Sequence, residues 1–236
     1  MKTIALIPAR GGSKGIKRKN IKLLDGLPLI AYTIRASLSS KKIDRTIVST
    51  DDEEIAKIAK EYYAEVPFLR PKKLSLDTTL DYPVIKHCLD YLINKEKWKP
   101  DIFLYLRPTM PFRESSEIDK SIDILSKKEK IDCIRTTMPV PYPPYWMKRI
   151  NQNGHLEPFH ESIEKFTKSR RQNLPKVVIC DGYVDACKVS ALFKYKEFPP
   201  GRQFALFREN KRFVDIDTMS DWEYCEYLLS RKKSGK

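Results

Sequence analysis

A three-layer α/β fold with a mostly parallel central sheet is what this sequence predicts, on three observations. Short apolar runs of strand type alternate with segments of helical period over much of the 236-residue chain. The order is strand, helix, strand, helix, which builds parallel strands joined by crossover helices. A loop rich in glycine and cations follows the first apolar run at once, at the sheet edge where open α/β sheets bind ligands. The length suits one large domain with a substantial core.

In chain order, strands are predicted at Thr3–Ala9, Thr46–Ser49, Ile102–Leu106 and Cys133–Thr136, where apolar and β-branched residues cluster. Helices are predicted at Leu29–Leu38, Glu53–Tyr63, Pro83–Ile93 and Glu117–Leu125, whose apolar positions recur with helical period. The regularity breaks at Pro139-Val140-Pro141-Tyr142-Pro143-Pro144-Tyr145-Trp146, since proline disfavours helix and interrupts strand pairing. From there to about Asn173 the chain is polar and irregular, an inserted arm at about 139–173 that reads as a substrate lid, a dimerisation arm or a linker. Val177–Cys180 and Phe204–Phe207 resume the strand pattern, Asp221–Leu229 reads as a closing helix, and the tail Arg231–Lys236 as frayed.

The segment Ile7-Pro8-Ala9-Arg10-Gly11-Gly12-Ser13-Lys14-Gly15-Ile16-Lys17-Arg18-Lys19-Asn20 carries the most chemistry. Gly11, Gly12 and Gly15 permit positive φ and close backbone approach, so main-chain N–H groups can face phosphate oxygens, with Arg10, Lys14, Lys17, Arg18 and Lys19 supplying charge. A basic surface turn would use the same residues. The segment contains neither G-x-x-x-x-G-K-[ST] nor G-x-G-x-x-G, which disfavours a P-loop ATPase and a dinucleotide dehydrogenase. Farther on, Arg212-Phe213-Val214-Asp215-Ile216-Asp217-Thr218 sets two carboxylates on one face of an extended chain, a pair suited to Mg²⁺ bridging to phosphates. Asp217 or Thr218 equally suits capping of the helix that follows. Leu69–Thr79 and Arg170–Pro175 are further loops with cations, each an anion site or a solvated segment, and Lys148 with Arg149 is placed to close over an acidic substrate. His87 falls on an amphipathic helix and reads as packed rather than catalytic.

Composition narrows the class. The net charge of +14 admits a nucleic-acid binder, but the cations are dispersed among acids except in the Arg10–Lys22 loop and the tail, a distribution that suits a small polyanion better than a nucleic-acid track. No apolar run approaches the roughly 20 residues that span a bilayer, and no signal-peptide pattern opens the sequence, so a cytoplasmic protein with no membrane contact is expected. Five scattered cysteines without a C-x-x-C pair read as buried apolar residues.

Ile7–Asn20 resembles the A-R-x-x-S-K-G-x-x-x-K-N block of the acylneuraminate cytidylyltransferases. Ile47–Asp51, Leu69–Pro71 with Asp77-Thr78, Arg107–Arg113, Arg171–Pro175 and Asp215–Thr218 resemble that family's later blocks in the same order, over almost the whole chain. The resemblance implies a Rossmann-like nucleotidyltransferase domain with a dimerisation excursion, making a CMP-sugar from CTP and a nonulosonic acid with Mg²⁺, as a homodimer. By position it puts Arg10, Gly12, Ser13, Lys14, Lys19 and Asn20 on the nucleotide, assisted by Arg70 and Asp81, and Asp215 and Asp217 on the metal. Arg107, Lys148 and Arg171 face the acidic sugar, and Arg10, Lys14, Lys19 and Asp217 are the residues expected to support catalysis. Three positions depart from the family pattern: Arg107 where glutamine is common, Asp81 where a hydroxyl residue lies near the base, and Asp181-Gly182 where Asn-Gly is usual. They leave the sugar open among nine-carbon acids. Competing readings are a CMP-Kdo synthetase, whose Q-G-D-E-P-type block is replaced here by Arg107–Pro111, a nucleotidyltransferase for another base, and a noncatalytic CTP- or RNA-binding protein.

Overall fold

Strand β1 (Thr3–Pro8) shows how the layers arise, because its side chains alternate between two hydrophobic clusters: Ile4 and Leu6 join one, Ala5 and Ile7 the other. The computed structural model describes residues 1–140, 142–166, 168–208 and 213–233. Pro141 of the proline-rich run, Arg212 of the acidic block and the tail end Ser234–Lys236 lie outside the described residues. After β1 come a short hairpin of β2 (Leu23–Leu24) and β3 (Leu27–Pro28), α1 (Leu29–Leu38), β4 (Arg45–Ser49), α2 (Glu53–Glu61), α3 (Asp81–Asn94), β5 (Ile102–Tyr105) and α4 (Ser115–Lys127). Then follow β6 (Cys133–Pro139), β7 (Lys148–Ile150), β8 (Leu156–Pro158), β9 (Val178–Lys188), α5 (Val189–Tyr195), β10 (Gln203–Phe207) and α6 (Met219–Lys233).

Six strands form one sheet in the order β10-β6-β9-β5-β1-β4. Strand β1 pairs in parallel with β4 on one side and β5 on the other, and β9 runs antiparallel to β5. The mostly parallel sheet expected from the alternation is therefore present. Helices α1, α2 and α4 bury Ile30, Ile34, Ile55, Ala59, Ile118 and Ile122 on one face, and α3 and α5 bury Ile85, Leu89, Leu92 and Leu192 on the other. The hairpin β2–β3 and the short helix α5 are additions to the sequence reading. The strand expected at Val177–Cys180 is the start of an 11-residue strand that continues to Lys188, and α6 runs through Lys233, so the first part of the tail is helical rather than frayed.

Local signals explain several boundaries. Asp52 caps α2 by accepting from the Ile55 N–H at 2.9 Å, and Glu53 and Glu54 favour the positive end of that helix. Thr218 and Asp221 form a reciprocal cap on α6: the Asp221 carboxylate accepts from the Thr218 N–H at 2.8 Å, and the Asp221 N–H donates to the Thr218 hydroxyl at 3.3 Å. Of the two capping candidates in the acidic block, Thr218 is the one used.

The chain forms two compact units, Met1–Thr136 with Gly182–Lys236, and Thr137–Asp181. The second is more ordered than the irregular excursion predicted for 139–173. It holds the antiparallel pair β7–β8, with Lys148 opposite Pro158, and 3-10 turns at Pro144–Trp146, Glu161–Phe166 and Arg171–Asn173. Tyr145 meets Phe166 edge-on at 5.1 Å, and the Trp146 indole N–H donates to the Ser169 carbonyl at 3.1 Å. Its surface carries Tyr142, Ile150, Leu156 and Phe159, all well exposed within the chain.

Candidate active site

Beyond the carboxyl ends of β1 and β5 lies a cavity of about 710 Å³. Strand β1 has β4 and β5 on opposite sides, so the cavity opens where the strand order reverses, the ligand-binding position of open α/β sheets. It gathers ten of the thirteen predicted site residues: Arg10, Ser13, Lys14, Lys19 and Asn20 from the glycine loop, Arg70 and Asp81 from either side of the following loop, Arg107 from the end of β5, and Asp215 and Asp217. Gly12 is outside the lining, and Gly15 is in it. Lys148 and Arg171 are exposed residues of the Thr137–Asp181 unit, where the Arg171 guanidinium donates to the Val140 carbonyl at 3.3 Å.

The loop is shaped differently from the expectation. None of Gly11, Gly12 and Gly15 has positive φ; the left-handed residue is Arg18, at φ 57°. Glycine is needed instead for close approach. A Cβ at Gly11 would lie 2.7 Å from the Asp52 carboxylate, and one at Gly15 would overlap the Asp217 carbonyl oxygen. Gly12 has open space, so nothing in its surroundings demands glycine. The Gly11 N–H already donates to the Asp51 carboxylate at 3.1 Å, and Arg18 is committed to Asp52 and Glu54. That bonding to Asp52 raises the Arg18 pKa and lowers that of Asp52. Asn20, buried, closes the loop by donating to the Arg10 carbonyl at 3.0 Å.

The acidic segment is held by alternation. Val214 and Ile216 pack with Ile16, Leu24, Leu29 and Trp222 in a third hydrophobic cluster, and Asp215 and Asp217 line the cavity. The Ile216 N–H donates to the Thr109 carbonyl at 3.0 Å, fixing the segment beside the end of β5. The Lys19 ammonium donates to the Ile216 carbonyl at 2.7 Å and the Asp217 carboxylate at 2.9 Å, tying the two blocks together. Burial, reinforced by the neighbouring Asp217 charge, raises the Asp215 pKa above the ordinary carboxylate value, against the Thr109 hydrogen bond that lowers it. Among the described residues no cluster of three or more His, Cys, Asp and Glu gathers at metal-binding spacing, so these two carboxylates form a pair rather than a complete protein cage.

A second charged network lies around the end of β5. Arg107 donates to Asp185 at 2.7 Å and to Asp81 at 3.2 Å, its guanidinium 5.1 Å from the centre of the Tyr105 ring. The Tyr105 hydroxyl donates to Asp81 at 2.7 Å, and Arg135 donates to the other Asp185 oxygen at 2.9 Å. Burial opposes the Arg107 charge, but Asp185 and then Asp81 outweigh it and raise the pKa. Asp81, expected at the nucleotide, is thus engaged by Tyr105 and Arg107 while still lining the cavity. Sequence reading missed Asp185, Arg135 and Tyr105. The signal was a carboxylate inside the apolar run Tyr183–Cys187, a position that burial permits only with a partner. His87 is half-buried with its ring edge-on to Phe68 at 4.7 Å, and burial lowers its pKa, in agreement with a packed histidine.

Residues 4–219 match the sequence profile of the cytidylyltransferases. The chain belongs to the cytidylyltransferase family. Among its relatives, the CMP-N,N'-diacetyllegionaminic acid synthase of Legionella pneumophila is 32% identical over 237 residues, covering 97% of each chain. The N-acylneuraminate cytidylyltransferase of Escherichia coli is 29% identical over 235 residues; the alignment covers 100% of this chain and 54% of that one, so the chain spans about half the length of that relative. The fold is shared with a CMP:2-keto-3-deoxy-manno-octonic acid synthetase solved in complex with CTP, at a TM-score of 0.72 and 15% identity, covering 98% of this chain and 100% of the other. At that identity the likeness concerns fold alone. The relatives named by sequence act on sialic and legionaminic acids, which separates them from the Kdo enzyme that the fold alone would also suggest.

Proposed function

We propose that this cytidylyltransferase transfers CMP from CTP to a nonulosonic acid and releases pyrophosphate. The observation that carries the reading is the convergence of Arg10, Lys14 and Lys19 with Asp215 and Asp217 on one cavity at the end of β1. The anomeric hydroxyl attacks the α-phosphorus in line; its bond to phosphorus forms as the bond to the bridging oxygen of the departing pyrophosphate breaks, and the hydroxyl proton passes to solvent water. Such a transfer needs positioning and charge stabilisation more than covalent chemistry from the protein. Arg10, Lys14 and Lys19 neutralise the triphosphate and the departing pyrophosphate; Ser13, Asn20 and Arg70 orient the nucleotide.

Asp215 and Asp217 fit Mg²⁺, an ion commonly bound through one or two carboxylates together with substrate phosphates and water. Bound there, the ion would supply Lewis-acid neutralisation of phosphate charge. The raised pKa of Asp215 marks a buried carboxylate whose charge a cation would favour. Lys148 and Arg171 are assigned to the acidic acceptor, whose carboxylate suits a guanidinium bound through two hydrogen bonds; Arg107, expected there as well, lines the cavity with its guanidinium held by Asp185 and Asp81. The working form is a cytoplasmic homodimer associated through Thr137–Asp181, a unit with several exposed apolar side chains; no helix among the described residues is long and apolar enough to cross a membrane.

The test is pyrophosphate release with CTP and Mg²⁺ against N-acetylneuraminic, legionaminic and pseudaminic acids and Kdo, with ATP, GTP and UTP in parallel. Turnover of CTP with one nine-carbon acid is expected; turnover with Kdo alone, or with another nucleotide alone, rejects the acceptor or base assignment. For Asp217→Asn, kcat is expected to fall on the order of a hundredfold through lost metal binding, whereas stability changes by no more than about 0.5 kcal/mol because the side chain is largely exposed. A variant with near-normal Mg²⁺-dependent turnover rejects the metal assignment.

A further inference from the structure

Asp77 follows the 3-10 turn Lys72–Leu74, and its two carboxylate oxygens meet two different cations of the glycine loop. One oxygen is 2.6 Å from the Arg10 guanidinium and the other 2.5 Å from the Lys14 ammonium. These are the cations assigned to the triphosphate, and the inference rests on that assignment. We propose that Asp77 is an internal counter-anion across Arg10 and Lys14, which an entering triphosphate must displace, so that Asp77 sets the affinity for the nucleotide.

The chemistry of the exchange is like for like. A carboxylate presents two anionic oxygens to the same donors that a phosphate would engage. The pair is also built to open. Lys14 is 77% exposed and Asp77 41% exposed, so separating them returns both to water. Asp185, by contrast, is fully buried between Arg107 and Arg135 and has no such route. The base of the Asp77 loop is anchored independently, since the Arg70 guanidinium donates to the Ser75 hydroxyl at 3.1 Å and the Arg70 N–H to the Thr50 carbonyl at 2.7 Å. Movement is therefore needed only near the tip, between Ser75 and the start of α3 at Asp81. The alternative role, a brace that shapes the glycine loop for its ligand, predicts the opposite effect of removing the carboxylate.

The experiment is calorimetric titration of the full chain with inorganic tripolyphosphate, without Mg²⁺ and at fixed ionic strength, using wild type, Asp77→Asn and Asp77→Glu. A site closed by its own carboxylate nine-tenths of the time binds about tenfold more weakly than the open site, so Asp77→Asn is expected to tighten binding about tenfold and Asp77→Glu to remain near wild type. The KM for CTP should fall with Asp77→Asn. Equal or weaker binding by Asp77→Asn, with wild type binding normally, overturns the proposal. So does an Asp77→Glu protein that binds as tightly as Asp77→Asn, because charge is then irrelevant. If none of the three binds tripolyphosphate, the phosphate assignment of the loop fails first and takes the proposal with it. Asp77→Ala is the second variant, expected to behave as Asp77→Asn.

Discussion

The two charged regions of the cavity are built on opposite principles. At the glycine loop two anions are solvent-accessible: Asp77, paired with Arg10 and Lys14, and Asp217, 71% exposed, paired with Lys19. Around the end of β5 the central anion is fully buried. Asp185 binds Arg107 and Arg135 inside the sheet, and the backbone is fixed as well, since the buried Arg113 donates to the carbonyls of Arg107 and Tyr183. An exposed pair contributes little to stability and can be exchanged for a ligand's charge; a buried pair is costly to break and holds geometry. Cations of one cavity thus divide between exchange and positioning according to how deeply their own counter-ions are buried.

Removing the anions of Arg107 one at a time tests this division most directly. Asp185→Asn is expected to cost about 3 kcal/mol, since it removes the buried anion that two guanidinium groups share. Asp81→Asn, which removes the 40% exposed anion of the same arginine, is expected to cost no more than about 1 kcal/mol. Denaturant unfolding of both variants measures the difference, and equal losses would show that depth of burial does not separate the two partners. A smaller effect, but on the exchange side, is expected from Gly15→Ala. Its new methyl group overlaps the Asp217 carbonyl oxygen, and the forced shift should cost about 1–3 kcal/mol. Turnover should fall too, because Lys19 and Asp217 belong to the two segments being driven apart. Wild-type unfolding and turnover in Gly15→Ala would mean that the loop yields freely.

Where the sequence was legible, one local rule sufficed. The parallel strands and their helices announced themselves through periodicity, and the D-x-D segment behaves as alternation requires, with Val214 and Ile216 packed inward and Asp215 and Asp217 on the cavity. Local rules fail where two distant segments meet. Gly11 and Gly15 are compatible with a phosphate loop by composition, but the need for glycine comes from Asp52 and Asp217, 41 and 202 residues away, and local sequence carries no record of that proximity. Arg18 looked like one phosphate-facing cation among five, yet Asp52 and Glu54 claim it. The same limit hid the partners of Arg107: Asp81 precedes it by 26 residues and Asp185 follows it by 78. The internal order of the Thr137–Asp181 unit is illegible in the sequence for another reason. Its elements are short strands and 3-10 turns, too brief for a periodic signal to accumulate.

Asp215 lies between the two regimes, partly buried yet assigned to a ligand, and its pH dependence sharpens the division with the smallest change in the molecule. Its pKa is raised in the folded protein, chiefly by burial. Folding therefore favours the protonated carboxyl: that contribution is complete below the unfolded value near 3.9 and is lost as pH rises through the higher folded value. At neutral pH the ionised, buried carboxylate is a cost. Asp215→Asn resembles the protonated form and keeps an oxygen to accept from Thr109, so it should be more stable than wild type at pH 7. The advantage should shrink on acidification and vanish below about pH 4, where the wild-type carboxyl is itself neutral. Unfolding midpoints of both proteins from pH 7 to pH 4, without divalent cations, test the sign. If the variant is less stable at pH 7, Asp215 is held as a structural anion like Asp185; if it is more stable, the protein maintains a carboxylate at a cost to folding, as expected of a group whose partner arrives with the ligand.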